Sequence, residues 1–305
     1  MSSLIKHTHM NIAELNQGSH FVELNGIRLH YRVKGIGPLL VVVSPGWGIG
    51  SLYLQHGLDF LTERFRVVFV DTRGSGLSGR PSDPAMMGSD QMADDLEALR
   101  SYLGLSTVVL LGHSNGGAIA LSFAQRYAER VSKLVLIDSQ LFGFAAAEDT
   151  HRFLSNRAED PDYSNAVELV NDFFTGKGRQ PMTDDELTEF VGNVLALYLN
   201  SPSKNLSTAR QQLSGKPISF FAFVNQNAAD AVAHNDQTVS LRLIKAPVLI
   251  VSGRHDWICP VAVAERIHED IENSILEIYE ESGHLPWIEE PLKFQSQIFR
   301  FLSIS

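Results

Sequence analysis

Apolar runs that alternate with helix-like segments dominate the first 139 residues. Largely apolar runs at 39–43, 65–70 and 133–138 are typical of strands buried on both faces. Before them, two alternating runs flank Asn25-Gly26, which indicates a hairpin with a two-residue turn. One helix face is formed by Met92, Leu96, Leu99 and Leu103. Because buried strands alternate with helices, we predict a parallel sheet flanked by helices.

The pattern changes at about residue 140. As far as residue 239 the chain holds helical patches and polar loops without a clear strand, and it is rich in phenylalanine. Strand patterns return at 248–251 and 275–279, and helical patterns at 261–267 and 294–301. The predicted parts are an α/β core at 1–139 with a loose tail at about 1–18, a helical cap at 140–239, and the second part of the core at 240–305.

Composition limits the classes of protein to consider. The 305 residues are 44% apolar, which suffices for one large core, and their formal net charge is −10. A nucleic-acid binder needs a basic face, and a membrane span needs a run of about 18 apolar residues, so we expect neither partner. The N-terminus lacks the apolar stretch of a signal peptide. We therefore expect a cytoplasmic protein with a small-molecule substrate, and the sequence leaves its oligomeric state open.

The stretch from 107 to 124 contains the first candidate for catalysis. A β-branched run leads into Gly112-His113-Ser114-Asn115-Gly116, and a helix-like run follows at 118–124. A serine on a tight turn between strand and helix is the pattern of a nucleophile elbow, in which small neighbours leave the hydroxyl accessible. Ser114 is therefore a candidate nucleophile, and the alternative is a glycine-rich turn with an incidental serine.

A serine nucleophile needs a base, and the base needs an orienting acid. Functional residues of a parallel sheet gather at the carboxyl ends of its strands. Two later strand patterns end shortly before Asp256 and His284. We predict Ser114 as the nucleophile, His284 as the base and Asp256 as the orienting acid. Asp138, which also follows a strand pattern, is the alternative acid.

Three other side chains lie near these candidates in the sequence. His113 and His255 adjoin predicted site residues, so we expect their side chains to point elsewhere and to serve the structure. Cys259 has no partner that would activate it, and we interpret it as a small buried residue. A single cysteine allows neither an intrachain disulfide nor a cysteine-based zinc site, and we predict no metal and no cofactor.

Acyl transfer also needs two donors for the oxyanion of the tetrahedral intermediate. One predicted donor is the backbone N–H of Asn115, the residue after the nucleophile. The second is expected in the glycine-rich loop at 44–50. In that loop we favour the N–H of Trp47, with Gly46 or Gly48 as alternatives.

These motifs together resemble the α/β-hydrolase superfamily over nearly all of residues 20–303. The stretches that carry the resemblance are Asp71-x-Arg73-Gly74-x-Gly76-x-Ser78, Gly112-His113-Ser114-x-Gly116-Gly117, Gly253-Arg254-His255-Asp256 and Gly283-His284. They are similar to those of the proline-iminopeptidase-like branch and the ester or lactone hydrolase branch. The resemblance implies an α/β-hydrolase fold, with a mostly parallel eight-stranded sheet, flanking helices and a helical cap. Serine at position 114 argues against branches that use a carboxylate nucleophile.

The sequence departs from this family at the oxyanion loop. Many members carry His-Gly there, where this chain has Pro45-Gly46. Proline iminopeptidases also use acidic cap residues to hold a substrate amine. The predicted cap has 13 Asp and Glu against 7 Lys and Arg, but no motif singles out carboxylates for that role.

The loop after the strand at 65–70 fits a different motif. Gly74-Ser75-Gly76-Leu77-Ser78-Gly79 matches the GxGxxG dinucleotide fingerprint, with Asp94 in the place of the ribose-binding acid. The fingerprint needs a helix that contains its third glycine, and Pro81 and Pro84 would break that helix. We therefore predict no nucleotide site here.

The predicted function is that of a cofactor-free serine hydrolase. It would cleave an ester, lactone or amide bond of a small, partly apolar substrate through an acyl-enzyme. The candidate pocket residues are Trp257, Phe142, Phe144, Phe173 and Phe221. Two alternatives stay open: a carbon–carbon bond hydrolase with the same triad, and a small-molecule receptor that kept the triad.

Overall fold

The fold is built on one eight-stranded sheet. The structure, a computed structural model, describes residues 12–144, 146–233 and 235–303. The strands are β1 (Gly18–Leu24), β2 (Ile27–Lys34), β3 (Leu39–Val43), β4 (Arg66–Asp71), β5 (Val108–His113), β6 (Val131–Ile137), β7 (Val248–Gly253) and β8 (Ser274–Tyr279). Their order is β1-β2-β4-β3-β5-β6-β7-β8. β3 to β8 pair in parallel and β2 runs antiparallel to β1 and β4, which confirms the predicted mostly parallel sheet.

Helices connect and cover the strands. They are α1 (Leu52–Gly57), α2 (Ser89–Tyr102), α3 (Asn115–Arg126), α4 (Ala147–Arg157), α5 (Ser164–Thr175), α6 (Asp184–Val194), α7 (Pro202–Leu213), α8 (Phe220–Ala233), α9 (Val261–Asp270), α10 (Pro286–Glu289) and α11 (Pro291–Ser303). Short 3-10 helices lie at Ile12–Leu15, Asp59–Glu63, Pro84–Met87, Ala128–Arg130, Leu195–Tyr198 and Gln237–Leu243. Helices α4 to α8, called the inserted helices below, all lie between β6 and β7, in the segment where the sequence predicts a cap.

The β1–β2 hairpin turns at the predicted dipeptide. Leu24 pairs with Ile27, so Asn25 and Gly26 alone form the loop. Both loop residues have positive φ, 47° and 76°. Such a turn matches the twist of the strands it joins, which explains why this dipeptide indicates a hairpin.

Both faces of the sheet are buried, because neighbouring residues of a central strand enter different cores. Leu110 of β5 packs in a core with α2, α3 and α9, whereas Leu111 packs in a second core with α1 and α11. This double burial explains the continuous apolar runs in the sequence. The parallel strands bring the carboxyl ends of β5, β7 and β8 to one edge of the sheet, where the predicted triad residues follow them.

The N-terminal segment packs on the core before residue 18. Leu15 is buried, and the hydroxyl of Tyr31 donates to the carbonyl oxygen of Glu14 over 3.1 Å. The predicted loose tail therefore ends earlier than expected, and residues 1–11 lie outside the described part of the chain. None of the described helices has the length and apolar character needed to cross a membrane.

Candidate active site

Ser114 lies on the tight turn between β5 and α3. Its backbone has φ 58° and ψ −129°, a conformation that residues with a side chain rarely adopt. A Cβ on Gly112 would clash with the carbonyl oxygen of Gly116, so strand and helix can approach this closely only with glycine. This strained turn places Ser114 at the N-terminus of α3, as a nucleophile elbow requires.

His284 and Asp256 form a buried pair beyond the ends of β8 and β7. Nδ1 of His284 donates to Oδ2 of Asp256 over 2.6 Å, and each residue is 3% exposed. The second oxygen of Asp256 accepts the N–H groups of Ile258 (2.9 Å) and Cys259 (3.0 Å). The N–H of His284 donates to the carbonyl oxygen of Tyr198 over 2.8 Å. These bonds fix the orientation of the imidazole, as a general base held by an acid requires.

Asp138, the alternative acid, occupies a different position. Its Oδ1 accepts the N–H of Gly253 over 2.7 Å. Burial and the neighbouring carboxylate of Asp256 raise the pKa of Asp138 well above its usual range. Asp138 is therefore a neutral acid beside Asp256, and Asp256 is the residue bonded to the imidazole of His284.

His113 anchors the backbone of the predicted base. Its Nε2 donates to the carbonyl oxygen of His284 over 2.9 Å, and its Nδ1 accepts from the hydroxyl of Tyr53 over 2.7 Å. Burial, with a smaller contribution from His284, lowers the pKa of His113 well below its usual range. The ring is therefore neutral, and its two hydrogen bonds give it a structural role.

His255 and Cys259 take no part in this geometry through their side chains. Nδ1 of His255 accepts from the guanidinium of Arg157 over 3.3 Å, and burial together with that cation lowers the pKa of His255. Burial raises the pKa of the Cys259 thiol well above its usual range. A neutral thiol is a poor nucleophile, so Cys259 is no rival to Ser114.

The two donors expected for the oxyanion differ in availability. Asn115 begins α3, and the first N–H groups of a helix have no partner within it. The N–H of Trp47, by contrast, donates to Oε1 of Gln226 in α8 over 2.5 Å. The N–H of Trp47 is therefore less available as the second donor than those of Gly46 and Gly48, the two alternatives in the same loop. Nδ2 of Asn115 donates to the carbonyl oxygen of Pro45 over 2.6 Å and so ties the two donor-bearing segments together.

A cavity of about 380 Å³ lies above the elbow. Ser114, Asn115 and His284 line it, together with Trp47 and Trp257. The inserted helices supply much of the remaining wall, with Val170, Phe173, Phe174, Leu187, Phe190, Val191, Val194, Leu213, Phe223 and Asn227. Aspartate, glutamate, lysine and arginine are absent from the described residues of the lining. The cavity therefore suits a small molecule and offers it no charged partner.

Of the five predicted pocket residues, Trp257 and Phe173 line this cavity. Phe142, Phe144 and Phe221 do not, and this part of the prediction is wrong. Phe144 and Phe221 pack against the core formed with α2, α3 and α9. Phe144 precedes α4 and Phe221 lies in the first turn of α8, where both side chains attach the inserted segment to the core.

Within the described part of the chain, two groups of buried side chains come close enough to consider a metal. They are His113, Asp138 and His284, and Asp256, Cys259 and His284, with donor atoms within 4.8 Å of one another in each group. Most of these donors already serve other partners, since Nδ1 of His284 bonds to Asp256 and both ring nitrogens of His113 bond to protein groups. A neutral thiol and a neutral carboxyl group are also poor ligands. The residues do not fit a metal, and the metal-free site stays a prediction.

The GxGxxG-like loop folds around a carboxylate of the protein itself. Asp71 accepts the N–H groups of Ser51 (2.6 Å) and Leu77 (2.8 Å) and a bond from Nδ1 of His30 (2.8 Å). Burial acts to raise the pKa of Asp71, but these bonds lower it below its usual value. A Cβ on Gly76 would clash with this carboxylate, and the next helix begins only at Pro84–Met87. Gly76 therefore makes room for Asp71, and the loop lacks the helix that a dinucleotide site needs.

Sequence reasoning missed two residues of the inserted segment that support the site. Tyr198 accepts the N–H of His284 and packs its ring against the imidazole, with centroids 5.3 Å apart. Gln226 is fully buried and accepts the N–H of Trp47. No motif marks either residue. The available signal for Gln226 is a glutamine in a helix that is otherwise rich in alanine and phenylalanine.

Comparison with known proteins agrees with this architecture. A family model described as alpha/beta hydrolase fold matches residues 40–291. Proline iminopeptidase from Saccharolobus solfataricus is 28% identical over 300 residues, which cover 94% of this chain and 93% of the relative. An esterase from Exiguobacterium antarcticum superposes with a TM-score of 0.69 at 25% identity, over 94% of this chain and 100% of its own. A meta-cleavage product hydrolase from Pseudomonas fluorescens IP01 shares the fold, with a TM-score of 0.71 at 22% identity over 93% and 97% of the two chains.

Proposed function

Because this chain belongs to the α/β-hydrolase family and is a hydrolase, we propose that it cleaves ester or lactone bonds of small, neutral, largely apolar substrates through an acyl-enzyme on Ser114. One observation carries the choice of substrate. Ser114 and His284 share a cavity whose described lining residues include no charged side chain of Asp, Glu, Lys or Arg. The inserted helices would then act as a lid that sets specificity.

The proposed reaction uses His284 as base and then as acid. Its Nε2 takes the proton of the Ser114 hydroxyl as the oxygen attacks the carbonyl carbon, and Asp256 stabilises the resulting imidazolium. The N–H groups of Asn115 and Gly46 stabilise the oxyanion. His284 returns the proton to the departing alcohol oxygen. A water molecule, deprotonated by His284, then releases the acid and regenerates Ser114.

The uncharged lining disfavours the two ionic alternatives. An amine substrate is cationic at neutral pH, and it loses hydration in an apolar cavity unless a carboxylate compensates. The vinylogous acid expected for carbon–carbon hydrolysis is anionic and would need a cation in the same way. The described lining holds neither the acidic residue that the cation would need nor the Lys or Arg that the anion would need, so neither ion gains a partner. A neutral ester or lactone meets no such cost.

A substrate panel tests this proposal. We expect kcat/KM for p-nitrophenyl butyrate to exceed that for L-prolyl-2-naphthylamide by about 100-fold, because an unpaired buried charge costs several kcal/mol. Faster turnover of the prolyl substrate would overturn the proposal in favour of an aminopeptidase. Tight binding of these compounds with negligible turnover would instead favour a receptor.

A matched pair of variants tests the role of the lining. Asn227 lies in the lining, whereas Asn225 of the same helix donates to the carbonyl oxygen of Phe221 and lies outside it. We expect Asn227→Asp to raise kcat/KM for p-nitrophenyl 6-aminohexanoate several-fold relative to the uncharged hexanoate ester. Asn225→Asp should leave that ratio unchanged. Equal shifts in both variants would show that the net charge, and not the cavity, selects the substrate.

A further inference from the structure

Gln226 of α8 packs against the loop that carries the candidate oxyanion donors. A Cβ on Gly46 would lie 2.5 Å from Oε1 and 3.0 Å from Nε2 of Gln226, so the side-chain amide fills the space beside this glycine. Oε1 also accepts the N–H of Trp47 over 2.5 Å, and Gln226 is fully buried. The position of the loop therefore depends on how this one amide group is turned.

Two further residues fix the orientation of that amide. Nε2 of Gln226 donates over 3.2 Å to Oγ of Ser89, the buried first residue of α2. Oγ of Ser89 donates in turn to Oδ2 of Asp230, and the N–H of Ser89 donates to Oδ1, each over 2.7 Å. Asp230 lies one turn after Gln226 in α8. We call the side chains of Gln226, Ser89 and Asp230 the Gln226 network.

The two ends of the Gln226 network allow only one direction for its hydrogen bonds. A backbone N–H can only donate, so Gln226 must turn its amide oxygen to Trp47 and its amide nitrogen to Ser89. A carboxylate can only accept, so Asp230 takes both protons that Ser89 offers. Burial raises the pKa of Asp230, whereas the two bonds from Ser89 lower it, and the N-terminus of α2 also favours the carboxylate. The carboxylate thus determines which way the amide of Gln226 faces.

We propose that Asp230 and Ser89 are positioning residues for the oxyanion loop at 44–50, which they hold in place through Gln226. Both lie outside the lining of the catalytic cavity, so they act on the reaction only through the loop. An oxyanion donor must lie at hydrogen-bond distance from the oxyanion, so a displaced loop weakens the transition state more than it weakens substrate binding. The proposal rests on the serine-hydrolase function proposed above.

A double-mutant cycle between Asp230 and Gln226 tests this role. Asp230→Asn keeps the size of the side chain, but its amide can accept only one of the two protons of Ser89, so the hydroxyl loses its acceptor. We expect Asp230→Asn to lower kcat for p-nitrophenyl butyrate about fivefold, with KM within about threefold. In the Gln226→Ala background the same substitution should cost less than about 1.5-fold, because the connection to the loop is already broken.

A neighbouring carboxylate provides the matched control. Asp90 also lies at the N-terminus of α2, but its carboxylate accepts from Ser122 and Asn235. Asp90→Asn should leave kcat within about 1.5-fold of wild type. An equal loss of kcat in Asp90→Asn and Asp230→Asn would assign the effect to the helix terminus and overturn the proposal.

Hydrogen exchange at the N–H of Trp47 gives a readout that does not depend on turnover. It should be at least about tenfold faster in Asp230→Asn and in a second variant, Ser89→Ala, while amides in the middle of α2 keep their protection. Unchanged exchange at Trp47, or the same loss of kcat with and without Gln226, would overturn the proposal. Thermal unfolding of each variant separates lost folding from lost chemistry.

The proposed substrate and the Gln226 network can fail separately. If the wild-type protein does not turn over the ester, the proposed substrate is refuted. The rate at which a fluorophosphonate probe labels Ser114 then replaces kcat in the cycle. Slower labelling in Asp230→Asn together with faster exchange at Trp47 would still support the positioning role, and unchanged labelling would refute it.

Discussion

Two arrays of a serine, a histidine and an aspartate among the described residues share a short bond between histidine and carboxylate. Oγ of Ser19 donates to Nε2 of His30 over 2.9 Å, and Nδ1 of His30 donates to Asp71 over 2.8 Å. In the candidate triad, the bond from His284 to Asp256 is 2.6 Å long. A short bond between histidine and carboxylate therefore does not distinguish a structural array from a catalytic one.

The backbone around the serine makes the difference. Ser19 lies in the edge strand β1 and pairs with Arg32 of β2, beside a space of about 140 Å³. Ser114 precedes a helix at φ 58° and faces about 380 Å³. Helix N–H groups next to the serine can stabilise an oxyanion, and the larger cavity can hold a substrate. The elbow and the cavity, more than the triad of side chains, identify the site.

Removing each serine hydroxyl gives the largest contrast. We expect Ser114→Ala to lower kcat/KM for an ester substrate by about 10⁵-fold or more, because it removes the nucleophile. Ser19→Ala should stay within about twofold of wild type. Mass spectrometry after fluorophosphonate treatment should find label on Ser114 and none on Ser19. Label on Ser19 would show that the first array is also activated.

Removing Asp71, the carboxylate of the first array, should reduce stability and leave catalysis unchanged. Asp71→Asn leaves a buried network with mismatched donors, so we expect the free energy of unfolding to fall by about 3 kcal/mol, while the folded fraction keeps its kcat/KM. The pKa of Asp71 is lowered by folding, so its stabilisation is present above about pH 4 and is lost as the pH falls further. Urea unfolding at pH 7 and at about pH 3 measures both effects. A loss of rate larger than the loss of folded protein would give Asp71 a catalytic role.

Gln226 tests how strongly the elbow depends on the inserted helices. Gln226→Ala leaves the N–H of Trp47 unpaired and frees the loop that carries Gly46. We expect kcat to fall about tenfold with KM within about threefold, since one misplaced oxyanion donor costs more in the transition state than in the ground state. Gln226→Glu keeps the acceptor and should restore most of kcat. Unchanged kcat in the alanine variant would show that the position of the oxyanion loop does not depend on α8.

Asp138 should show the opposite pH dependence to Asp71. Folding raises the pKa of Asp138, so the folded protein binds more protons than the unfolded chain, and this contribution to stability falls as the pH rises above about 4. The slope is at most about 1.4 kcal/mol per pH unit. Asp138→Asn removes that proton, so the variant should gain stability relative to wild type between pH 5 and pH 7. An unchanged difference over that interval would mean that Asp138 is ionised in the folded protein.

The candidate site residues at the carboxyl ends of the strands could be predicted from sequence because short local patterns mark them. Ser114 follows a buried strand between nearby glycines, Asp256 follows the fully buried strand β7, and His284 follows the partly exposed edge strand β8. Short sequence patterns therefore predict where these residues lie. The same locality explains why the hairpin at Asn25-Gly26 was predictable.

The cavity could not be predicted because its walls depend on distant packing. Phe144 and Phe173 look alike in sequence, yet one fills the core and the other lines the cavity. The N–H of Trp47 was a reasonable oxyanion donor until Gln226, 179 residues away, proved to be its acceptor. Helical periodicity predicts which face of an inserted helix is apolar. It does not predict what that face contacts, because tertiary packing decides this.

The hydrogen bond between Trp47 and Gln226 also limits which inserted segments could replace the present one. A relative's inserted segment grafted onto this core would bring its own walls, and with them a new choice of substrates. The graft would keep the catalytic loop in place only if it also brought an acceptor at position 226. The segment that sets the choice of substrate therefore also holds the catalytic loop, through the residue at position 226. We expect active chimeras to be those that retain a glutamine or glutamate there.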